Sequence, residues 1–280
     1  MLILFPSKKD NNYEADIYFE IEYEIAMKIE EFSAMLFNYD DFISGNGIRL
    51  NSNKTGLCIY RGWMLSPSKY MEFYNQLFAK GIRLINSPSE YDTFHLFPNI
   101  YSDIKPYTPK CLYYKHGTKI NWEMINVSFK KFMIKDYVKS AKNLSIPMFY
   151  ETPVNCDEMN KYIEMFIKQR GEFYTGGIVI KEYVDLKKYF GMFTNEFRAF
   201  YMWGYLLSLS PNSNQPETCE TVPIDFVNKF STLKSNFYTV DFAELSNGQW
   251  IIIEVGDGQV SGVSTGLEYK DFYQDLLSSL

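Results

Sequence analysis

The chain predicts a parallel α/β unit followed by an antiparallel α+β unit, and three observations carry this. Strand and helix signals alternate through the first third. The last third holds two hairpin patterns, turning near Trp203-Gly204 and at Asn247-Gly248. Upstream of both, the stretch Tyr101 to Lys119 contains Pro106, Pro109 and Gly117 and reads as a connection between domains. A βαβαβα order calls for a parallel sheet, and hairpins mixed with helices call for antiparallel ones.

The elements follow in order. MLILF at the start is a short buried strand. Ile17, Ile21, Ile25, Lys28, Ile29 and Phe32 then recur at helical spacing, with one polar exception. GLCIY, 56–60, is a strand ending at Arg61-Gly62-Trp63. Ser66-Pro67 supplies an N-cap and a first-turn proline for a helix that Gly81 closes. IRLIN is the next strand, and Ser87-Pro88 opens the next helix. After the connection, 130–138 is a strand, 157–170 a helix ended by Gly171, and 176–184 a strand. Residues 195–210 form one hairpin, 223–234 a helix, 237–255 a second hairpin, and 267–279 a C-terminal helix.

Composition excludes several classes. At 280 residues, folding hides roughly three quarters of the unfolded chain's surface, enough for a substantial core. Aromatics make up 18% of the chain and apolar residues 46%, which excludes intrinsic disorder; most of the aromatics are expected in the core. The longest apolar run falls well short of the ~18 residues that mark a membrane span. The first ten residues lack a basic segment ahead of their apolar run, so they read as a strand and not a signal peptide. A net charge of −6 argues against a protein whose main task is to neutralise nucleic-acid phosphates. Cys58, Cys111, Cys156 and Cys219 are widely spaced, which fits free thiols in a reducing cytoplasm better than a thiolate zinc site. With His95 and His116 as the two histidines, chemistry is expected to rest on Lys, Arg, Asp and Glu.

The segment 237–255 carries the most chemistry. Asn247-Gly248 suits a type I′ turn, which needs positive φ at both central residues. With that pair at the tip, Leu245 faces Trp250, Ala243 faces Ile252, and Asp241 faces Glu254. Opposed Cβ atoms lie about 4.5–5.5 Å apart, so the two carboxylates repel unless something compensates. A divalent cation would do so, since Mg²⁺ is usually held by one or two carboxylates plus substrate phosphates. Solvent exposure at a sheet edge is the competing reading, and a register slip of one residue would separate the pair. Val255-Gly256-Asp257-Gly258-Gln259-Val260-Ser261-Gly262 follows as a glycine-rich loop, with Asp257 a candidate third oxygen ligand.

Cations recur inside apolar strands. Lys135 lies within Phe132-Met133-Ile134-Lys135-Asp136-Tyr137-Val138, with Lys139, Ser140 and Lys142 behind it. Lys181 and Glu182 close Ile178-Val179-Ile180, and alternation puts Glu196, Arg198 and Phe200 on one strand face. Cross-strand salt bridges would explain any one of these. Together with Asp241 and Glu254 they form the apparatus of phosphoryl transfer. The chain has no GxxxxGK[ST], GxGxxG or HRD…DFG motif, which excludes P-loop, Rossmann and protein-kinase sites by motif.

In this order the residues resemble the ATP-grasp superfamily: a lysine strand, a hinge strand ending in a charge, Glu-x-Arg, Asp, then Glu with a polar loop. More narrowly, the chain resembles the ATP-grasp clade common in bacteria and bacteriophages, through Arg61-Gly62-Trp63 and Lys135-Asp136-Tyr137-Val138-Lys139-Ser140. The resemblance covers nearly the whole chain and is strongest from about 131 to 262. It implies an N-terminal pre-ATP-grasp-like domain (1–105, the substrate side), a small lid subdomain with the phosphate-binding lysine strand and hinge (106–190), and a C-terminal subdomain with the metal-binding hairpin (191–280). Nucleotide would lie between the last two. Lys135 and Lys139 would meet phosphates, Lys181 adenine and phosphate, and Glu182, Tyr183 and Val184 the adenine edge. Asp185 would take the ribose hydroxyls. Glu196 would belong to the nucleotide site, and Arg198 would stabilise the transferred phosphoryl group. Asp241, Glu254 and Asp257 would hold Mg²⁺. The superfamily's frequent Glu-x-Asn is here Glu254-Val255-Gly256, so either Asp257 substitutes or a second metal is held more weakly.

The activity implied is ATP-dependent joining of a small-molecule or peptide carboxylate to an amine through an acylphosphate. Arg61, at the end of a parallel strand, is the candidate clamp on the substrate carboxylate, with Trp63 beside it. Alternatives are a kinase acting on a small molecule or polymer end, and a nucleotide-binding protein that has lost turnover. A nucleic-acid partner is disfavoured by the acidic balance.

Overall fold

The N-terminal apolar run forms β1 (Leu2–Lys8), whose first six residues are buried. Such a run is what a parallel sheet covered on both faces requires. β2 (Asn11–Ala15) turns back antiparallel on the end of β1, and α1 (Glu20–Met27) follows. β3 (Ser33–Phe37) pairs parallel with β1, α2 (Tyr39–Ile43) follows it, and β4 (Gly56–Tyr60) flanks β1 on its other side. α3 (Pro67–Ala79) leads to β5 (Ile82–Leu84), parallel to β4. α4 (Pro88–His95) opens on a capping box, in which Ser87 Oγ accepts from Glu90 N and Ser87 N donates to the Glu90 carboxylate. The predicted helix over 17–32 is therefore shorter. Ser33–Phe37, where no strand was expected, pairs with β1, and Ile17 and Ile21 remain exposed.

The computed structural model describes residues 1–138 and 145–280. α5 (Phe97–Ile104) runs into a short 3₁₀ turn and then β6 (Cys111–Lys115). The expected connection over 101–119 thus contains half a helix and a strand; the prolines mark only the turn between them. β6 joins a second sheet in the order β6-β9-β7-β8, antiparallel throughout. Its elements are α6 (Trp122–Ser128), β7 (Lys131–Asp136), β8 (Tyr150–Glu151), α7 (Cys156–Arg170) and β9 (Gly177–Glu182). A small hairpin, β10 (Lys188–Tyr189) with β11 (Phe193–Thr194), precedes the third sheet.

That sheet has the order β13-β12-β14-β15, all antiparallel, from β12 (Glu196–Met202), β13 (Tyr205–Pro211), β14 (Phe237–Glu244) and β15 (Trp250–Asp257). α8 (Ile224–Asn228) is one short turn of the helix expected over 223–234, and α9 (Tyr269–Ser278) is the last element. Both central residues of the first hairpin turn, Trp203 (φ 55°) and Gly204 (φ 83°), have positive φ, as a type I′ turn demands. At the second tip only Gly248 (φ 85°) does. There Gly248 N donates to Leu245 O and Leu245 N to Gln249 O, giving a three-residue loop with a glycine bulge. Glu244, not Leu245, therefore faces Trp250, and Ala243 faces Ile251. A second irregularity leaves Ile253 as an extra residue, after which Asp241 faces Glu254 as counted.

Alternation along the strands sorts side chains into separate cores. Leu2 and Leu4 of β1 pack with α2 and α3. Ile3 and Phe5 join Phe200, Phe237, Phe272 and Leu276 of the third sheet and α9. Ile178 and Ile180 of β9 lie under α6 and α7, whereas Val179 faces α5 and the third sheet. All four cysteines are unpaired. No helix among the described residues is long and apolar enough to cross a membrane.

Candidate active site

The alternation that buries Phe132, Ile134, Ile178 and Ile180 beneath the second sheet's helices sends Met133, Lys135 and Lys181 to the opposite face. There they line a cleft of about 360 Å³ against the third sheet. Lys135 and Lys181 are nearly fully buried, with their ammonium groups 5.1 and 5.5 Å from the centre of the Phe97 ring. The ring face attracts the cations and replaces part of their lost hydration. Lys181 Nζ donates to the carbonyl of Ile253, the extra residue of the β15 bulge. Burial, and after it the charge of Lys135, pull Lys181 down to about 8.

Across the third sheet, Arg198 of β12 faces Asp241 of β14, which faces Glu254 of β15. The row is held by charge. Arg198 Nε and Nη2 donate to Asp241 Oδ1 and Oδ2 at 2.7 and 2.6 Å, and Lys135 Nζ lies 3.9 Å from Glu254 Oε1. The two carboxylates thus meet protein cations, a compensation the counting argument did not foresee. Glu196, two residues before Arg198, accepts from Thr194 Oγ1 and lines the same cleft. Asp241 and Glu254 offer hard oxygen donors in register, which suit Mg²⁺ when substrate phosphates complete its shell. Among the described residues no group of three His, Cys, Asp or Glu side chains forms a metal cluster.

Asp257 does not join that pair. It is buried, accepts from Asn86 Nδ2 at 2.6 Å and from Gln259 N at 3.0 Å, and burial pushes it up to about 7. Its geometry is that of a loop anchor, because Asn86 also bonds both backbone groups of Phe237. Gly258 lies against Phe237, where a Cβ would come within 2.8 Å of the ring, so only glycine fits.

Arg61 also departs from its expected role. It is 3% exposed, and its Nε donates to Glu22 Oε1 at 2.6 Å. Its Nη1 donates to the carbonyls of Gly258 and Ser261 at 2.6 and 2.8 Å. Tyr273 Oη donates to the same Glu22 oxygen. The fork that was expected to clamp a substrate carboxylate is engaged by Glu22 and the loop, so Arg61 is a positioning residue. Arg198 Nη1 holds the next stretch of loop through Gly262 O.

Tyr183 and Val184 line the cleft, as does Glu182, whose own N–H is engaged by Lys110 O. Asp185 is exposed and outside the cleft lining, with its carbonyl bonded to Ser246 N. Lys139, with Ser140 and Lys142, lies outside the described residues. The sequence reading missed Phe149, Leu186 and Lys188, which also line the cleft. Gly191 between the aromatics of Tyr189 and Phe193 is the turn signal that would have revealed the hairpin carrying Lys188. His95, set aside in the sequence, lines a smaller compartment with Arg198, Thr239 and Asp241, stacked 4.8 Å from Tyr91.

Three compartments run on from one another. The cleft and the His95 compartment share Glu254. The His95 compartment shares Met64 and Val260 to Gly262 with a third, of about 260 Å³, bounded by Tyr18, Phe19, Trp63 and Tyr269.

Residues 121–276 match an ATP-grasp domain family, the third family of its clade. Among solved structures, D-alanyl-alanine synthetase A from Vibrio cholerae superposes with a TM-score of 0.60 at 13% identity, covering 100% of this chain and 98% of that one. A D-cycloserine synthetase superposes at 0.62 and 10% identity, covering 100% and 99%. The ATP-grasp ligase PsnB, complexed with a phosphomimetic variant of its minimal precursor, Mg and ADP, superposes at 0.56 and 10% identity, covering 99% and 96%. At these identities the likeness is one of fold. No curated protein matches the chain in sequence.

Proposed function

The chain belongs to this ATP-grasp domain family, and on that footing we propose that it is an ATP-dependent ligase joining a carboxylate to an amine. The observation that carries the reading is the succession, along one cleft, of an apolar wall, two buried lysines and the Arg198–Asp241–Glu254 row. Met133, Phe149, Tyr183, Leu186 and Ile253 offer an apolar slot for a purine base. Lys135 and Lys181 lie where phosphates of that nucleotide would replace the Phe97 ring as their main attraction. Asp241 and Glu254 would hold Mg²⁺, which when bound neutralises phosphate charge and orients the transferred group.

In the reaction, a substrate carboxylate oxygen attacks the γ-phosphorus and the bond to the β-phosphate oxygen breaks. Arg198 then moves from Asp241 toward the charge on the transferring group. The amine attacks the carbonyl carbon of the acylphosphate, phosphate leaves, and the nitrogen gives up its proton. The structural neighbours carry the names of enzymes of this kind, which supports the reading at that coarse level.

Calorimetric titration of ATP tests it. Binding is expected with Mg²⁺ present, weakened when Mg²⁺ is removed, and lost in Asp241→Asn/Glu254→Gln. A wild type that binds no ATP under any of these conditions refutes the ligase.

Lys181 gives a second test. The free protein holds it near 8, whereas nearby phosphate favours the charged form and raises its pKa. Well below pH 8 the lysine is charged with and without nucleotide, and no proton is exchanged. Above pH 8 the free form is neutral, so binding takes up a proton, and affinity falls as pH rises through 8. At about pH 9, calorimetry in buffers of different ionisation enthalpy should report uptake of up to about one proton, absent in Lys181→Met. Equal heats across the buffers would remove Lys181 from the phosphate site.

A further inference from the structure

The third compartment carries no spare charge. Glu22 and Arg61 are the charged residues in its lining, and each is engaged by the other, by Tyr273 and by the loop carbonyls. The rest of the lining is largely apolar or aromatic. Trp63 is held edge-on between Tyr18 and Phe19, at 5.1 and 5.0 Å between ring centres, and Met64, Val260 and Tyr269 complete the wall. A carboxylate or ammonium entering here would lose hydration without gaining a partner. An uncharged apolar group would gain by leaving water.

The apolar surface continues outside. Tyr18 is 74% exposed and Ile21 65%, and Ile17 lies beside them in the chain, equally uncovered. These are the same residues whose helical spacing suggested a core face. The inner end of the compartment shares Met64 and the loop Val260 to Gly262 with the space beside Arg198 and Asp241. A group seated here therefore lies next to the reacting centre.

We infer that this compartment takes an uncharged aromatic or aliphatic side chain of a peptide-like substrate, adjacent to the group that reacts, and not a free zwitterionic amino acid. The Tyr18 and Ile21 surface would cover the next residues of that substrate. The assignment of the neighbouring space as the reacting centre rests on the ligase reading; the chemistry of the compartment does not.

The test is calorimetric titration of the whole protein with N-acetyl-L-phenylalaninamide, free L-phenylalanine and free alanine, each with and without ATP and Mg²⁺. The amide is expected to bind in the millimolar range, and both free amino acids at least about tenfold more weakly, because their charges find no partner. Trp63→Ala and Tyr18→Ala are each expected to weaken the amide severalfold and leave ATP affinity unchanged. Tyr18 is largely exposed, so its variant keeps the test valid should Trp63→Ala fail to fold. No amide binding, equal binding of free phenylalanine, or indifference to both substitutions would overturn the inference. Amide binding that both variants weaken, in a protein that binds no ATP, upholds the compartment's chemistry and refutes the ligase.

Discussion

Replacing Glu22 with alanine is expected to lower unfolding free energy by roughly 3–5 kcal/mol, the usual cost of leaving one partner of a buried ion pair alone. Arg61 would keep its charge in a site where its side chain is 3% exposed, and Tyr273 would lose its acceptor. For a chain of this size the loss corresponds to a fall in Tm of about 10 °C. The double variant Glu22→Leu/Arg61→Met should recover part of it, since neither charge remains. Recovery should be incomplete, because the carbonyls of Gly258 and Ser261 would lack their donor. Thermal denaturation of the three proteins decides the matter. A shift below about 1 kcal/mol for Glu22→Ala would match an exposed pair instead and remove the argument.

The second large effect is on turnover. Arg198→Lys keeps a cation beside Asp241, so the buried carboxylate is not stranded, but it removes the planar fork. ADP formation, measured with an acid and amine found by screening, is expected to fall by about 10²–10³-fold, the scale for loss of one preorganised donor to transition-state charge. ATP affinity and Tm should change little. An unaltered rate would mean that the guanidinium stays with Asp241 throughout and serves the sheet alone.

The two hairpins show why parts of the site were legible in the sequence and others were not. Asp241 opposite Glu254 followed from counting back from Asn247-Gly248, although the tip is not the type I′ turn assumed. The count survived because the loop gains one residue on one side and the Ile253 bulge gives it back. The I′ geometry occurs instead at Trp203-Gly204, where a bulky residue accepts positive φ. Lys135, Lys181 and Arg198 were legible as charges in apolar strands, a local signal. Arg61 was equally visible, but its role was not, because that depends on Glu22 and on a loop near residue 260. Asp257 failed for the same reason, its partner Asn86 lying 171 residues away. β6 was hidden behind prolines that mark a turn at its start, and β3 behind a helical pattern of isoleucines that are partly exposed.

The Glu22–Tyr273 bond spans 251 residues, and Phe272 and Leu276 complete the apolar layer begun by Ile3, Phe5 and Ile59. During synthesis the first sheet leaves the ribosome long before its cover is made. At roughly 5–20 residues per second, translation from residue 60 to residue 276 takes ~10–40 s. For that interval one face of the nascent sheet has no native partner and is available to chaperones or to other nascent chains. The last helix acts as the latch of the whole assembly. A chain cut short by its final dozen residues would keep every catalytic candidate and still present that open face, making it a product for degradation.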